Sequence, residues 1–164
     1  MAERFLANAR VGDIRELVVS EASTIGPEAE IPELLEKMIE DPRSRHLYVV
    51  DESGVLRGAV RLNCLTEYLF PYTTISVSES FPSLSRLLTQ FAARKVSDIM
   101  NPAPRSVDDS VLVPDAVKIM WEEKINELPV VDEKRRLIGE LNLSEIIAAY
   151  LGKTGRNAQR CGAR

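Results

Sequence analysis

The sequence predicts a mixed α/β protein made of two copies of one β-α-β-β-α unit joined by a linker. The first observation is a set of five anchors that recur in order. Val11-Gly12-Asp13-Ile14 returns as Val96-Ser97-Asp98-Ile99, and Ile31-Pro32-Glu33 as Val113-Pro114-Asp115. Met38 returns as Met120, Val49-Val50-Asp51 as Val130-Val131-Asp132, and Leu56-x-Gly58 as Leu137-x-Gly139. The offsets are 85, 82, 82, 81 and 81, a register that chance does not hold over five anchors. The second observation is that both copies place a proline-opened helical segment before a β-branched run. The third is a strand–turn–strand pattern after it, which reads as a hairpin.

Taken in order, each copy begins its body with a short extended segment, Thr24-Ile25 or Ser106-Val107. A helix follows, with Pro32 or Pro114 in its first turn, where a missing N–H costs nothing. Its apolar face reads as Leu34, Leu35, Met38 and Ile39, or as Ala116, Val117, Met120 and Trp121. A strand is predicted over 47–50 and over 128–131. The polar turns Asp51-Glu52-Ser53-Gly54 and Asp132-Glu133-Lys134-Arg135 lead to second strands over 58–62 and 139–143. Closing helices are expected over 63–69 and 144–151. One such unit, at about 60 residues, buries too little surface to stand alone. The two are therefore expected to pack sheet to sheet about a pseudo-twofold axis.

The resulting organisation is a first repeat over 1–70, a linker over 71–95, a second repeat over 96–152 and a basic tail over 153–164. The linker carries Pro71, Pro82 and a Ser/Thr-rich stretch; Leu84, Leu87, Leu88 and Phe91 at helical spacing predict a helix within it.

Composition bounds the function. The chain has 164 residues, 45% of them apolar and 28% charged, which is globular composition. No run approaches the roughly 18 apolar residues of a membrane span. The start, MAERFLANAR, lacks the apolar core of a secretory signal. Two distant cysteines, Cys64 and Cys161, make neither a disulfide framework nor a zinc spacing, so the expectation is a cytoplasmic protein. Net charge is −4, and the tail holds four of the 21 basic residues and none of the 25 acidic ones. The remainder is therefore more acidic than the whole, which argues against nucleic acid as the main partner. Catalysis finds no support: there is one histidine, no nucleophile elbow and no glycine-rich phosphate loop. No metal-ligand spacing is present, although carboxylates are numerous enough for Mg²⁺ to accompany a polyphosphate.

These repeats resemble the CBS-domain pair, or Bateman module. The marks are Asp98-Ile99-Met100, the strand Leu128-Pro129-Val130-Val131-Asp132, and a Gly-h-h-x-x-x-Asp junction between strand and helix. The likeness runs from about Val11 to Leu151. It implies tandem CBS repeats, a regulatory module rather than an enzyme, and a homodimer. It also implies adenosine-containing ligands (AMP, ADP or ATP, in some members S-adenosylmethionine or NAD-type molecules), none of them an obligatory cofactor. The regulated partner protein is not named by the sequence.

Carried over by position, the ribose-binding acid of the junction falls on Cys64 in copy one and Glu145 in copy two. A thiol is a poor acceptor for a ribose diol, whereas Glu keeps the carboxylate. The hydroxyl position three after the glycine falls on Arg61 and Asn142, and the position two further on falls on Asn63 and Ser144. The basic residues that open the strand fall on Arg45 and His46, but on Asn126 and Glu127 in the second copy. The resemblance implies crosswise sharing. One cleft combines Asn142, Ser144 and Glu145 with Arg45, His46 and Tyr48, its base lined by Ala22, Ser23 and Ile25. A second, weaker cleft combines Arg61, Asn63 and Cys64 with Asn126, Glu127 and Pro129, plus Pro104 and Arg105. In the weaker one, Glu127 opposes a phosphate.

Plainer readings stand beside these. His46 and Arg45 also suit packing or exposed positions, and Glu145 suits any helix N-terminus. Cys64 is expected as a small buried apolar residue, and Trp121 as core or dimer surface. The functional alternatives are three: a nucleotide-sensing module, a degenerate CBS pair that only dimerises or scaffolds, and a basic-tailed adaptor that contacts nucleic acid.

Overall fold

The computed structural model describes residues 2–18, 21–40, 45–69 and 92–153. In chain order these form α1 (Ala2–Leu6), α2 (Val11–Ile14), β1 (Thr24–Ile25), α3 (Ile31–Glu40), β2 (His46–Val50), β3 (Leu56–Arg61) and α4 (Leu62–Leu69). Then follow α5 (Val96–Ile99), α6 (Val113–Glu123), β4 (Glu127–Val131), β5 (Leu137–Asn142) and α7 (Leu143–Tyr150). The mixed α/β class and the duplicated element order are as the sequence predicts. The helix expected over 84–91, and all of the tail after Lys153, lie outside the described residues.

The chain divides into two compact units. Unit one holds Met1–Ala22, Ser53–Leu56 and Arg105–Arg164; unit two holds Ser23–Glu52 and Arg57–Pro104. Neither unit is one sequence repeat, because each repeat gives its opening helix to the other's body. In unit one, the Val11 N–H donates to Val111 O (2.9 Å), the Gly12 N–H to Asp109 O (3.1 Å), and the Val113 N–H back to Ala9 O (2.9 Å). In unit two, the Val96 N–H donates to Ala29 O (2.9 Å), the Ser97 N–H to Pro27 O (3.0 Å), and the Ile31 N–H to Arg94 O (3.1 Å). A four-residue helix has no stability of its own, so it must dock to exist. The repeated aspartate of the opening motif secures each one. Asp13 Oδ2 accepts the Arg10 N–H at 2.8 Å, and Asp98 Oδ2 accepts the Arg94 and Lys95 N–H groups at 2.8 and 2.9 Å.

Each unit has its own core. Val11 and Ile14 join Val113, Ala116, Met120, Leu128, Val130 and Leu141 in unit one. Val96 joins Ile25, Ile31, Leu34, Met38, Leu47, Val49 and Val60 in unit two. The long helices bury a narrower stripe than the sequence predicts. Ile31, Leu34 and Met38 of α3 are buried, as are Val113, Ala116 and Met120 of α6, at the i, i+3, i+7 spacing of one face. Ile39 is 77% exposed and Trp121 is 84% exposed, so neither belongs to a core.

In unit two, β1 runs parallel to β2, with Thr24 beside Tyr48 and Ile25 beside Val49, and β3 lies on the other side of β2. In unit one, β4 and β5 are antiparallel and pair Glu127 with Asn142. The strand expected at Ser106-Val107 is reduced to one parallel bridge between Val107 and Val130. The repeated glycines have a common reason. A Cβ on Gly58 would stand 2.5 Å from Met100 Sδ and 2.9 Å from Asn101 O, and one on Gly139 would stand 2.9 Å from Arg15 Nη1. Both glycines let the end of a docked opening helix cross a strand at backbone distance.

Candidate functional site

Both units repeat one local arrangement in which the start of a strand is tied to the start of the closing helix. In unit one the Leu143 N–H donates to Asn126 O (3.1 Å); in unit two the Leu62 N–H donates to Arg45 O (2.9 Å). The structure therefore brings Asn126 and Glu127 to Asn142, Ser144 and Glu145, and brings Arg45 and His46 to Arg61, Asn63 and Cys64.

The unit one group is acidic and largely enclosed. Asn142 caps α7: its Oδ1 accepts the N–H of Ser144 at 2.8 Å and that of Glu145 at 3.1 Å. Such a cap satisfies donors that the first turn otherwise leaves without partners. Its Nδ2 donates to Glu140 Oε1 at 3.3 Å. Glu127, Glu140 and Asn142 are all buried, and Glu127 faces Asn142 across the strand pair. Glu145 has no exposed surface, and its Oε2 accepts the backbone N–H of Val18 at 2.7 Å. Ser144 is exposed beside it.

The backbone that carries Val18 is fixed by Arg15. Arg15 Nε donates to Asp109 Oδ1 at 2.7 Å, and its Nη1 donates to Ile138 O at 3.0 Å and to Glu16 Oε1 at 2.6 Å. Burial works against the charge of Arg15, but the Asp109 and Glu16 carboxylates more than offset it and raise its pKa. No repeat signal marks Arg15, Val18, Asp109 or Glu140, and the sequence reading missed all four. Arg15 has Met100 in the equivalent place after the other opening helix, so the duplication hides it.

The unit two group is basic or neutral. His46 is buried, and its ring stacks on that of Tyr48 with centroids 6.2 Å apart and planes 6° apart. The two lie on one face of β2 because strand side chains alternate; Leu47 and Val49 take the opposite face into the core. Tyr48 is fully buried, and its N–H donates to Ser23 O at 2.9 Å. The Ile25 side chain lies in the unit two core beside Ile31 and Leu34. Arg45 is exposed, Arg61 half-buried, and Asn63 exposed. Cys64 is exposed as well, with its thiol turned toward Asn63 Oδ1 at 3.9 Å. That corrects the expectation of a buried cysteine: the core-facing position of α4 is taken by Leu65 one residue later. Of the remaining residues, Ala22 and Pro104 are half-buried, Arg105 is exposed, and Pro129 is buried with its carbonyl accepting the Val107 N–H at 3.1 Å.

Among the described residues no group of three His, Cys, Asp or Glu side chains is placed to hold a metal ion. No described helix is long and apolar enough to cross a membrane.

Comparison with known proteins gives the same picture from sequence and structure. The profile for the CBS domain matches residues 11–70 and 96–152. The CBS domain-containing chloroplastic protein CBSX1 of Arabidopsis thaliana is 30% identical over 139 residues, 77% of this chain and 58% of that protein. This chain therefore spans 58% of the length of that curated relative. The crystal structure of CBSX2, also from Arabidopsis thaliana, in complex with AMP matches with a TM-score of 0.70 at 27% identity, covering 88% of this chain and 98% of that one. A CBS domain-containing protein from Thermotoga maritima matches with a TM-score of 0.70 at 26% identity, covering 87% and 94%.

Proposed function

The chain belongs to the CBS-domain family, and we propose that it is a regulatory module that binds an adenosine-containing nucleotide of the AMP, ADP or ATP class and signals to a separate protein. The observation that carries this reading is the likeness, over 88% of the chain, to CBSX2, a protein solved with AMP. In this reading Glu145 and Ser144 receive the ribose, with Asn142 fixing their helix. Arg45 and His46 receive phosphate, Tyr48 backs His46, and Ala22, Ser23 and Ile25 attend the base. A second, weaker position draws on Arg61, Asn63, Cys64, Pro104, Arg105, Asn126 and Pro129. It is weaker because Cys64 supplies no carboxylate and Glu127 repels phosphate. No chemical step is assigned to the module, which acts in the cytoplasm, where unpaired cysteines are stable.

The module works as a homodimer. Leu143, Ile147, Tyr150 and Leu151 form an exposed apolar stripe at i, i+4, i+7 and i+8 on and just after α7, and they are 42%, 57%, 52% and 64% exposed. This stripe and the exposed Cys64 also favour a second reading, a dimerising scaffold without nucleotide. A melting series with AMP, ADP and ATP separates the two. A ligand at 100 times its dissociation constant stabilises by about 2.7 kcal/mol, about 5–10 °C for a chain of this size. The sensor reading requires such a rise with at least one of them; the scaffold reading requires none.

A further inference from the structure

The Glu145 carboxylate is fully buried and already in use. Its Oε2 accepts the Val18 N–H at 2.7 Å, and the two residues are separated by 127 positions in sequence. The segment 15–18 has a second anchor at its other end. There Arg15 is held by Asp109 at 2.7 Å and by the carbonyl of Ile138 at 3.0 Å, in space that Gly139 leaves open. The Arg15 N–H is itself bonded to Val11 O at 3.0 Å, so the docked α2 continues rigidly up to Arg15. Beyond that point Glu16 and Val18 are exposed and Leu17 is half-buried. Among the hydrogen bonds described here, the Val18 N–H to Glu145 is the fastening at the far end of this segment.

From this geometry we infer that Glu145 is a clasp. Its carboxylate holds residues 16–18 against unit one, and a ligand hydroxyl reaches that oxygen only by displacing the Val18 amide. This inference rests on the nucleotide reading above and adds its output: filling the ribose position frees the segment 16–18, with Arg15 as the fixed pivot. The competition is between two donors for one charged acceptor, so each weakens the other, as linkage requires. Glu145 is a positioning residue for the segment and a binding residue for the ligand, and the two roles exclude each other at Oε2. Val18 needs only its backbone N–H for this, which explains why no side-chain motif marks it.

Hydrogen exchange on the full chain, followed amide by amide with and without saturating AMP, tests the clasp. AMP binding is verified in the same samples by the melting rise. The expected result is that AMP speeds exchange of the Val18 amide on the order of tenfold or more, the scale of a lost hydrogen bond to a charged acceptor. The Arg15 amide stays protected. If AMP raises the melting temperature but leaves the Val18 amide as protected as before, the clasp is overturned and the sensor reading stands. If AMP gives no melting rise, the sensor reading fails and the coupling goes with it. Glu145→Gln supplies a second arm. In the ligand-free variant the Val18 amide exchanges on the order of tenfold faster, and AMP adds nothing further; unchanged protection in the folded variant overturns the clasp. Should the variant not fold, the wild-type comparison decides alone.

Discussion

Gly58 lies under Met100: a Cβ at position 58 would meet Met100 Sδ at 2.5 Å and the Asn101 carbonyl at 2.9 Å. The contact is part of unit two's own architecture, since the Ala59 and Asn101 backbones exchange two hydrogen bonds of 3.0 and 2.9 Å beside it. The thioether is flexible and the carbonyl is not. Gly58→Ala is therefore expected to cost about 1–3 kcal/mol, the usual penalty for overpacking, and to lower the melting temperature accordingly. A variant that melts like wild type would show that the strand and the end of α5 separate readily.

Arg15 gives a second prediction. Its contact with Asp109 is planar and directional, and it also reaches Ile138 O. Arg15→Lys keeps the charge but loses the fork. Because the Asp109 side chain is 44% exposed, solvent screening reduces the expected loss to about 1 kcal/mol. Denaturant unfolding of both proteins measures it, and equal midpoints would contradict the role given to the guanidinium.

Acid sensitivity follows from three aspartates. Backbone N–H groups of Lys95 and Arg94 hold Asp98 below its ordinary pKa; the Ser110 hydroxyl and N–H do so for Asp108; and the Arg136 N–H, helped by its guanidinium, does so for Asp132. The unfolded chain then binds more protons than the folded one in acid. Their stabilisation is present above the ordinary aspartate value of about 3.9 and is lost as pH falls through the lower folded values. Melting temperatures measured from pH 6 down to pH 2 should fall most steeply below about 4. Asp98→Asn and Asp132→Asn, combined, should flatten that fall; an unchanged profile would place the acid sensitivity elsewhere.

Self-association is tested on the α7 stripe. Ile147 is 57% exposed, so Ile147→Lys is expected to change the stability of a dilute, monomeric sample by no more than about 0.5 kcal/mol. The same change should shift sedimentation at high concentration from dimer to monomer. A variant that still sediments as a dimer would move the interface off this stripe.

Much of the fold was readable because duplication doubles every signal. Val49-Val50-Asp51 and Val130-Val131-Asp132 each mark the end of a strand, and Pro32 and Pro114 each mark a helix start. The exchange of opening helices was not readable, because Val11 and Val96 look alike and the pattern says nothing about which body each one joins. Ile39 and Trp121 were misassigned to buried faces because periodicity gives a face's direction but not its width. The position of Glu145 at the start of α7 was readable from the glycine six residues earlier. Its partner was not, since a backbone N–H has no signature in the sequence.

The most direct test of nucleotide binding through Glu145 is calorimetric titration of the full chain with AMP, beside Glu145→Ala. The account predicts saturable binding to the wild-type chain, and a folded variant whose affinity is weaker by at least tenfold, the scale of a lost hydrogen bond to a charged group. Equal affinity in the two proteins, or no heat of binding in either alongside flat melting curves with AMP, ADP and ATP, would contradict it.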